Sequence, residues 1–147
     1  MSTRCQIGFY ESKAQPINQW EALLYRHSDG YPGEANKPNS GVIPDILPLL
    51  KDFAKTRGLS DVESASAQIL YHLIAETQRH RAEFRAGTKL PEYKNDYTGH
   101  GICKDFHGDI EFFYRIYPNA LEVYEVPFHA QDGPPELWKL LQAIPLA

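Results

Sequence analysis

From Asp45 to Gly87 the apolar residues of this chain recur every three or four positions, and on either side of that block they tend to alternate. The first period belongs to helices, whose faces repeat about every 3.6 residues, and the second to strands, whose faces repeat every second residue. A chain that alternates, turns helical and then alternates again has few architectures open to it. Helices inserted between two groups of strands must cover a sheet made by both groups, which is the α+β class.

Residue by residue, the pattern predicts a first strand near residues 4–11, where Cys5, Ile7 and Phe9 alternate with Gln6, Gly8 and Tyr10. A second strand is predicted over 20–27, antiparallel to the first across the short SKAQPINQ connection. The following DGYPGEANKPNSG is turn chemistry throughout. Ile46, Leu47, Leu49, Leu50, Phe53 and Ala54 predict a helix over 45–57, capped by Asp45, with Pro48 in its first turn and Gly58 at its end. A longer helix over 61–85 opens with a capping box, Ser60 with Glu63, and carries a stripe of Val62, Ile69, Leu70, Leu73, Ile74 and Phe84. Residues 88–101 read as a loop, and strands follow over 101–106, 110–117 and 120–127. The closing PPELWKLLQAI reads as a short helix with proline at its start. The expectation is one domain over 1–147: a mostly antiparallel sheet of about five strands, two main helices and a short C-terminal helix, in the order ββ-αα-βββ-α.

Composition narrows the function classes. At 147 residues, 42% hydrophobic and 23% charged, the chain can bury a core without staples. A net charge of −4 lacks the basic footprint of a general nucleic-acid binder. No run approaches the roughly 20 apolar residues of a spanning helix, and the N-terminus has no signal-peptide core, so the expected location is cytoplasmic with no membrane partner. Cys5 and Cys103 stand in no metal-ligand spacing, and a reducing compartment suits them.

The stretch LLYRHSDGYPG concentrates chemistry at a strand end. Spacing by two places Tyr25, His27 and Asp29 on one strand face and Arg26 on the other. A His-Asp pair suits acid–base work or metal ligation, while Asp-Gly equally serves an ordinary turn. The His-x-Asp spacing recurs at His107 and Asp109, and two such pairs could ligate a divalent metal. His72, Glu76 and His80 share a helix face without forming a zincin motif, and read as a solvated face. Arg4, with Arg26 and Arg115, offers a planar fork for phosphate or carboxylate, and the chain's tyrosines offer stacking surfaces. Antiparallel pairing of the first two strands is expected to bring Arg4 to His27 and Asp29.

STRCQIGFY and YRHSDGYP together carry a family resemblance. The chain resembles small uncharacterised bacterial and phage proteins that open with Ser/Thr-Arg before a strand, continue with Tyr-x-His-Trp-Asp-Gly-Tyr-Pro, and enter a helix through Gly-Val. The matching positions are Ser2, Thr3 and Arg4, then Tyr25, His27, Asp29, Gly30, Tyr31 and Pro32, then Gly41 and Val42. Ser28 stands where those proteins usually carry Trp, and the extra loop GEANKPNS precedes Gly41. The resemblance covers the first third of the chain and implies a site but no reaction.

Three functions fit these residues. The leading one is a binder of an anionic or planar small molecule, such as a nucleotide, using Arg4, Tyr25, His27, Asp29 and Tyr31. The second is a metal-assisted hydrolase in which His27, Asp29, His107 and Asp109 surround a divalent ion. The third is an interaction module that associates with a protein partner or with itself.

Overall fold

The computed structural model describes residues 3–86, 98–127 and 134–146. Its strands are β1 (Cys5–Phe9), β2 (Ala22–Arg26), β3 (His100–Ile102), β4 (Phe112–Tyr117), β5 (Ala120–Glu125) and β6 (Lys139–Pro145), and its helices are α1 (Val42–Thr56) and α2 (Val62–Arg85). The six strands form one sheet in the order β3-β2-β1-β4-β5-β6. Every neighbouring pair is antiparallel except β1 and β4, which run parallel because the two helices lie between them in sequence. The α+β class therefore holds, with one strand more than expected. No helix of the described residues is long and apolar enough to cross a membrane.

Strand alternation divides the sheet into two buried faces. Cys5, Ile7, Phe9, Leu24, Tyr114, Ile116, Leu121 and Val123 pack against the helices, where Ile46, Leu50, Ile69 and Leu73 meet them. On the other face Tyr10, Leu23, Phe113 and Tyr117 pack with Ile110, Val126 and Trp138 from connecting segments, and Trp20 and Phe106 join their edge. That second layer has little room to spare: a Cβ at Gly8 would stand 2.7 Å from the Tyr10 hydroxyl and 2.8 Å from Phe113.

Both helix starts differ from expectation. α1 begins at Val42, three residues before Asp45, with no side-chain cap. The Val42 and Ile43 N–H groups donate instead to the carbonyls of Tyr31 and Pro32, at 3.0 and 2.9 Å. The Asp-Gly-Tyr-Pro turn thus caps the helix through its backbone, and Gly41 is required there because a Cβ would lie 2.4 Å from the Tyr31 oxygen. The earlier start also places Pro48 inside the helix, where it removes the bond to the carbonyl four residues back. α2 is capped by Asp61, whose side chain accepts from Ser64 N at 3.1 Å, in place of the Ser60–Glu63 box. Within its stripe Val62, Ile69 and Leu73 are buried, but Phe84 is 72% exposed.

The C-terminal helix is a correction. Pro135–Leu137 makes a single 3₁₀ turn, and Lys139–Pro145 extends as β6 along β5, with Leu121 opposite Ile144 and Val123 opposite Gln142. Pairing with an open sheet edge satisfies this backbone, and the helical spacing of its leucines is overridden. Of the loop predicted over 88–101, residues 88–97 lie outside the described residues, while His100 and Gly101 belong to β3.

Candidate functional site

β2 ends between two polar clusters, one on each face of the sheet. On the face away from the helices, Arg4 donates from Nε to His27 Nδ1 at 3.3 Å and from Nη1 to Asp109 Oδ2 at 2.7 Å. The Tyr25 hydroxyl lies 3.2 Å from the same His27 nitrogen, and the Tyr25 and His107 rings stack with centroids 4.4 Å apart. Since His27 Nδ1 accepts from Arg4, its proton sits on Nε2. This cluster unites five of the predicted site residues: Arg4, Tyr25, His27, His107 and Asp109. Its members engage one another, and the Arg4 guanidinium stands between His27 and Asp109, where a divalent ion would have to sit. Among the described residues, no group of three or more His, Cys, Asp and Glu side chains gathers as metal ligands would.

Asp29 is not part of that cluster. Its backbone turns left-handed at φ 58°, a conformation Asp tolerates better than most residues. Gly30 follows pressed against the N-terminal strand: its N–H donates to the Thr3 carbonyl at 2.9 Å, and its own carbonyl accepts from the buried Tyr114 hydroxyl at 2.6 Å. This turn brings Asp29 to the wall of a cavity on the helix face, which Arg26 also lines. The Tyr31 hydroxyl lies 3.3 Å from Asp29 Oδ1.

That cavity, of about 530 Å³, lies between the ends of β2 and β3, the start of α1 and the length of α2. Arg26 and His100 are directly opposite each other in the β2–β3 ladder and both line it. From α2 come His72, Glu76, His80, Arg81, Phe84 and Arg85, so the His72–Glu76–His80 face is a cavity wall. Arg26 Nη1 lies 2.8 Å from Asp45 Oδ2, yet it is hidden from solvent and not aligned for a hydrogen bond. His100 Nε2 is likewise hidden and has no hydrogen-bond partner. The other His100 nitrogen, Nδ1, is 3.0 Å from the Thr98 hydroxyl. If that hydroxyl donates, Nε2 carries the proton and becomes a donor without an acceptor.

Electrostatics keeps this imidazole neutral. Burial, followed by the positive charges of Arg26 and Arg81, pushes His100 down to about 4. Glu76, also in the wall, is held below the usual carboxylate range chiefly by its hydrogen bonds from Arg79. Burial disfavours both thiolates, raising Cys5 to about 12 and also raising Cys103.

Two more hidden nitrogens lack partners, Arg115 Nε and Trp138 Nε1. Neither adjoins this cavity, and Arg115 is otherwise occupied. It donates to Glu122 at 3.3 Å and to the carbonyls of Lys13 and Gln15 at 2.7 Å each, which ties the segment after β1 to the sheet. Of the three arginines singled out as anion forks, Arg26 lines this cavity and Arg4 and Arg115 do not. His100 gave no sequence signal, being a lone histidine in a polar stretch. No family model, curated protein or solved structure matches the chain.

Proposed function

We propose that this protein binds a small anionic molecule in the cavity between the β2–β3 edge and α2. The observation that carries the reading is that Arg26 and His100, opposite each other across the ladder, both line the cavity while Arg26 Nη1, ion-paired to Asp45 at 2.8 Å, and His100 Nε2 make no aligned hydrogen bond. A buried donor without an acceptor costs about 1–3 kcal/mol, and a carboxylate or phosphate oxygen would relieve two such costs together. Arg81 and Arg85 line the same wall as Arg26, together with the carboxylates of Asp29, Asp45 and Glu76. Asp29, Asp45 and Glu76 in the lining repel an anion, which favours contact at the His100 side, on β3.

The test is calorimetric titration of inorganic phosphate, acetate and citrate into the protein and into His100→Leu at neutral pH. The wild type should bind at least one of them, and the variant should bind it roughly tenfold or more weakly, since one charge-assisted hydrogen bond is lost. Equal affinities in the two proteins, or no binding of any anion by the wild type, would reject the reading.

A further inference from the structure

The cavity is much larger than the anion its two donors would hold. At about 530 Å³ it exceeds the roughly 30 Å³ share of a water molecule many times over and falls in the range of pockets for whole organic molecules, about 300–1,000 Å³. Beyond the anion point its lining changes character. Phe84 lies on the same α2 face as Arg81, one helical turn further on, about 4.5 Å along the axis. Arg26, His100, Arg81 and Phe84 all line this one cavity, so the anion point and the aromatic ring share it.

Phe84 is 72% exposed, as Tyr71 is at 71% on the same helix, but Phe84 lines this cavity, and exposing a phenyl ring to water forfeits the gain of burying it. A ring flanked by arginines at positions 81 and 85 is suited to stack a flat group, with the cations close to the stacked face.

We infer that the ligand joins an oxyanion to a planar aromatic group, the anion meeting Arg26 and His100 and the plane lying on Phe84. Nucleoside monophosphates and aromatic carboxylates share this chemistry. The inference rests on the anion reading above and adds the ring.

The experiment titrates four probes into the intact chain: adenosine monophosphate, ribose 5-phosphate, 4-hydroxybenzoate and inorganic phosphate. Wild type should bind adenosine monophosphate at least about tenfold more tightly than ribose 5-phosphate or phosphate, as expected for one stacked base. Phe84→Ala and Phe84→Leu, both at an exposed position, should lose that preference and keep phosphate binding unchanged. Tighter binding of 4-hydroxybenzoate than of the nucleotide, with the same dependence on Phe84, would support the inference and assign the carboxylate source. Equal binding of adenosine monophosphate and ribose 5-phosphate, or an aromatic preference that survives both Phe84 variants, would overturn the inference and leave the anion reading standing. Failure of all four probes to bind would overturn both.

Discussion

The two sides of β2 carry similar residues and use them in opposite ways. On the side away from the helices, Arg4 is flanked by His27 and Asp109, and Tyr25 is in contact with both His27 and His107. On the helix side, Arg26 Nη1 meets Asp45 only as an ion pair at 2.8 Å, and it and His100 Nε2 are hidden nitrogens that make no hydrogen bond, in residues lining an open cavity. Each side has an arginine, at least one histidine and a carboxylate. Residue type therefore does not separate a binding site from scaffolding here. What separates them is satisfaction: the first cluster is closed by its own members, and the second is left open at its most buried atoms.

The largest effect that would sharpen this contrast belongs to the scaffolding. Glu122, 3% exposed, accepts from Arg115, Tyr117 and Tyr124 on the face away from the cavity. Glu122→Ala leaves the buried Arg115 charge uncompensated and is expected to cost about 3–5 kcal/mol in denaturant unfolding. Anion affinity of the folded fraction should stay at the wild-type level. A loss of affinity comparable to that of His100→Leu would mean that the two faces are coupled and the contrast is misdrawn.

A smaller effect follows from the neutral histidine. His100 titrates near 4 in the folded protein and near its ordinary 6.5 when unfolded. Between those values the unfolded chain holds more protons at this site, so stability should fall as pH drops from about 6.5 to about 4 and receive no such contribution above 6.5. The ring is only partly enclosed, so the loss is on the order of 1 kcal/mol after solvent screening. His100→Leu should lack this part of the acid limb in urea unfolding across the pH range. An identical acid limb in both proteins would refute the assignment.

These contrasts also show what the sequence made legible. Strong alternation in CQIGF, FFYRIY and ALEVYE located β1, β4 and β5, and the helical period located α1 and α2, because each pattern is local. KLLQAIP was misread since its two leucines fit either period, and pairing with β5 decided the matter. At the site, spacing correctly placed Tyr25 and His27 on one side and Arg26 on the other. It failed at Asp29, because β2 ends at Arg26 and Asp29 itself turns left-handed, outside the strand's alternation. The partnership of Arg26 with His100 depends on the register of strands 74 positions apart in the chain (100 − 26), which no local pattern encodes.

The closed cluster should respond weakly to substitution. The Arg4–Asp109 pair is half exposed, and Asp109→Asn should cost at most about 1 kcal/mol in thermal unfolding, with anion affinity unchanged. A clear loss of anion binding in this variant would move the site to the other face.

The smallest expected effect has an informative sign. Asn adopts the left-handed turn as readily as Asp, so Asp29→Asn should leave stability within about 0.5 kcal/mol. It removes a negative charge from the cavity rim, and phosphate affinity should rise about two- to fivefold at low salt. A decrease would show Asp29 to be a ligand contact in its own right.

The most direct measurement follows the imidazole nitrogens themselves. The chain has six histidines, and long-range ¹⁵N–¹H spectra report the tautomer and hydrogen bonding of each. During titration with adenosine monophosphate, the His100 Nε2 and its proton should shift as the donor gains an acceptor, with His27 and His107 unmoved. Shifts at His27 or His107 with His100 static would place the ligand on the closed face and contradict the assignment of the open cavity.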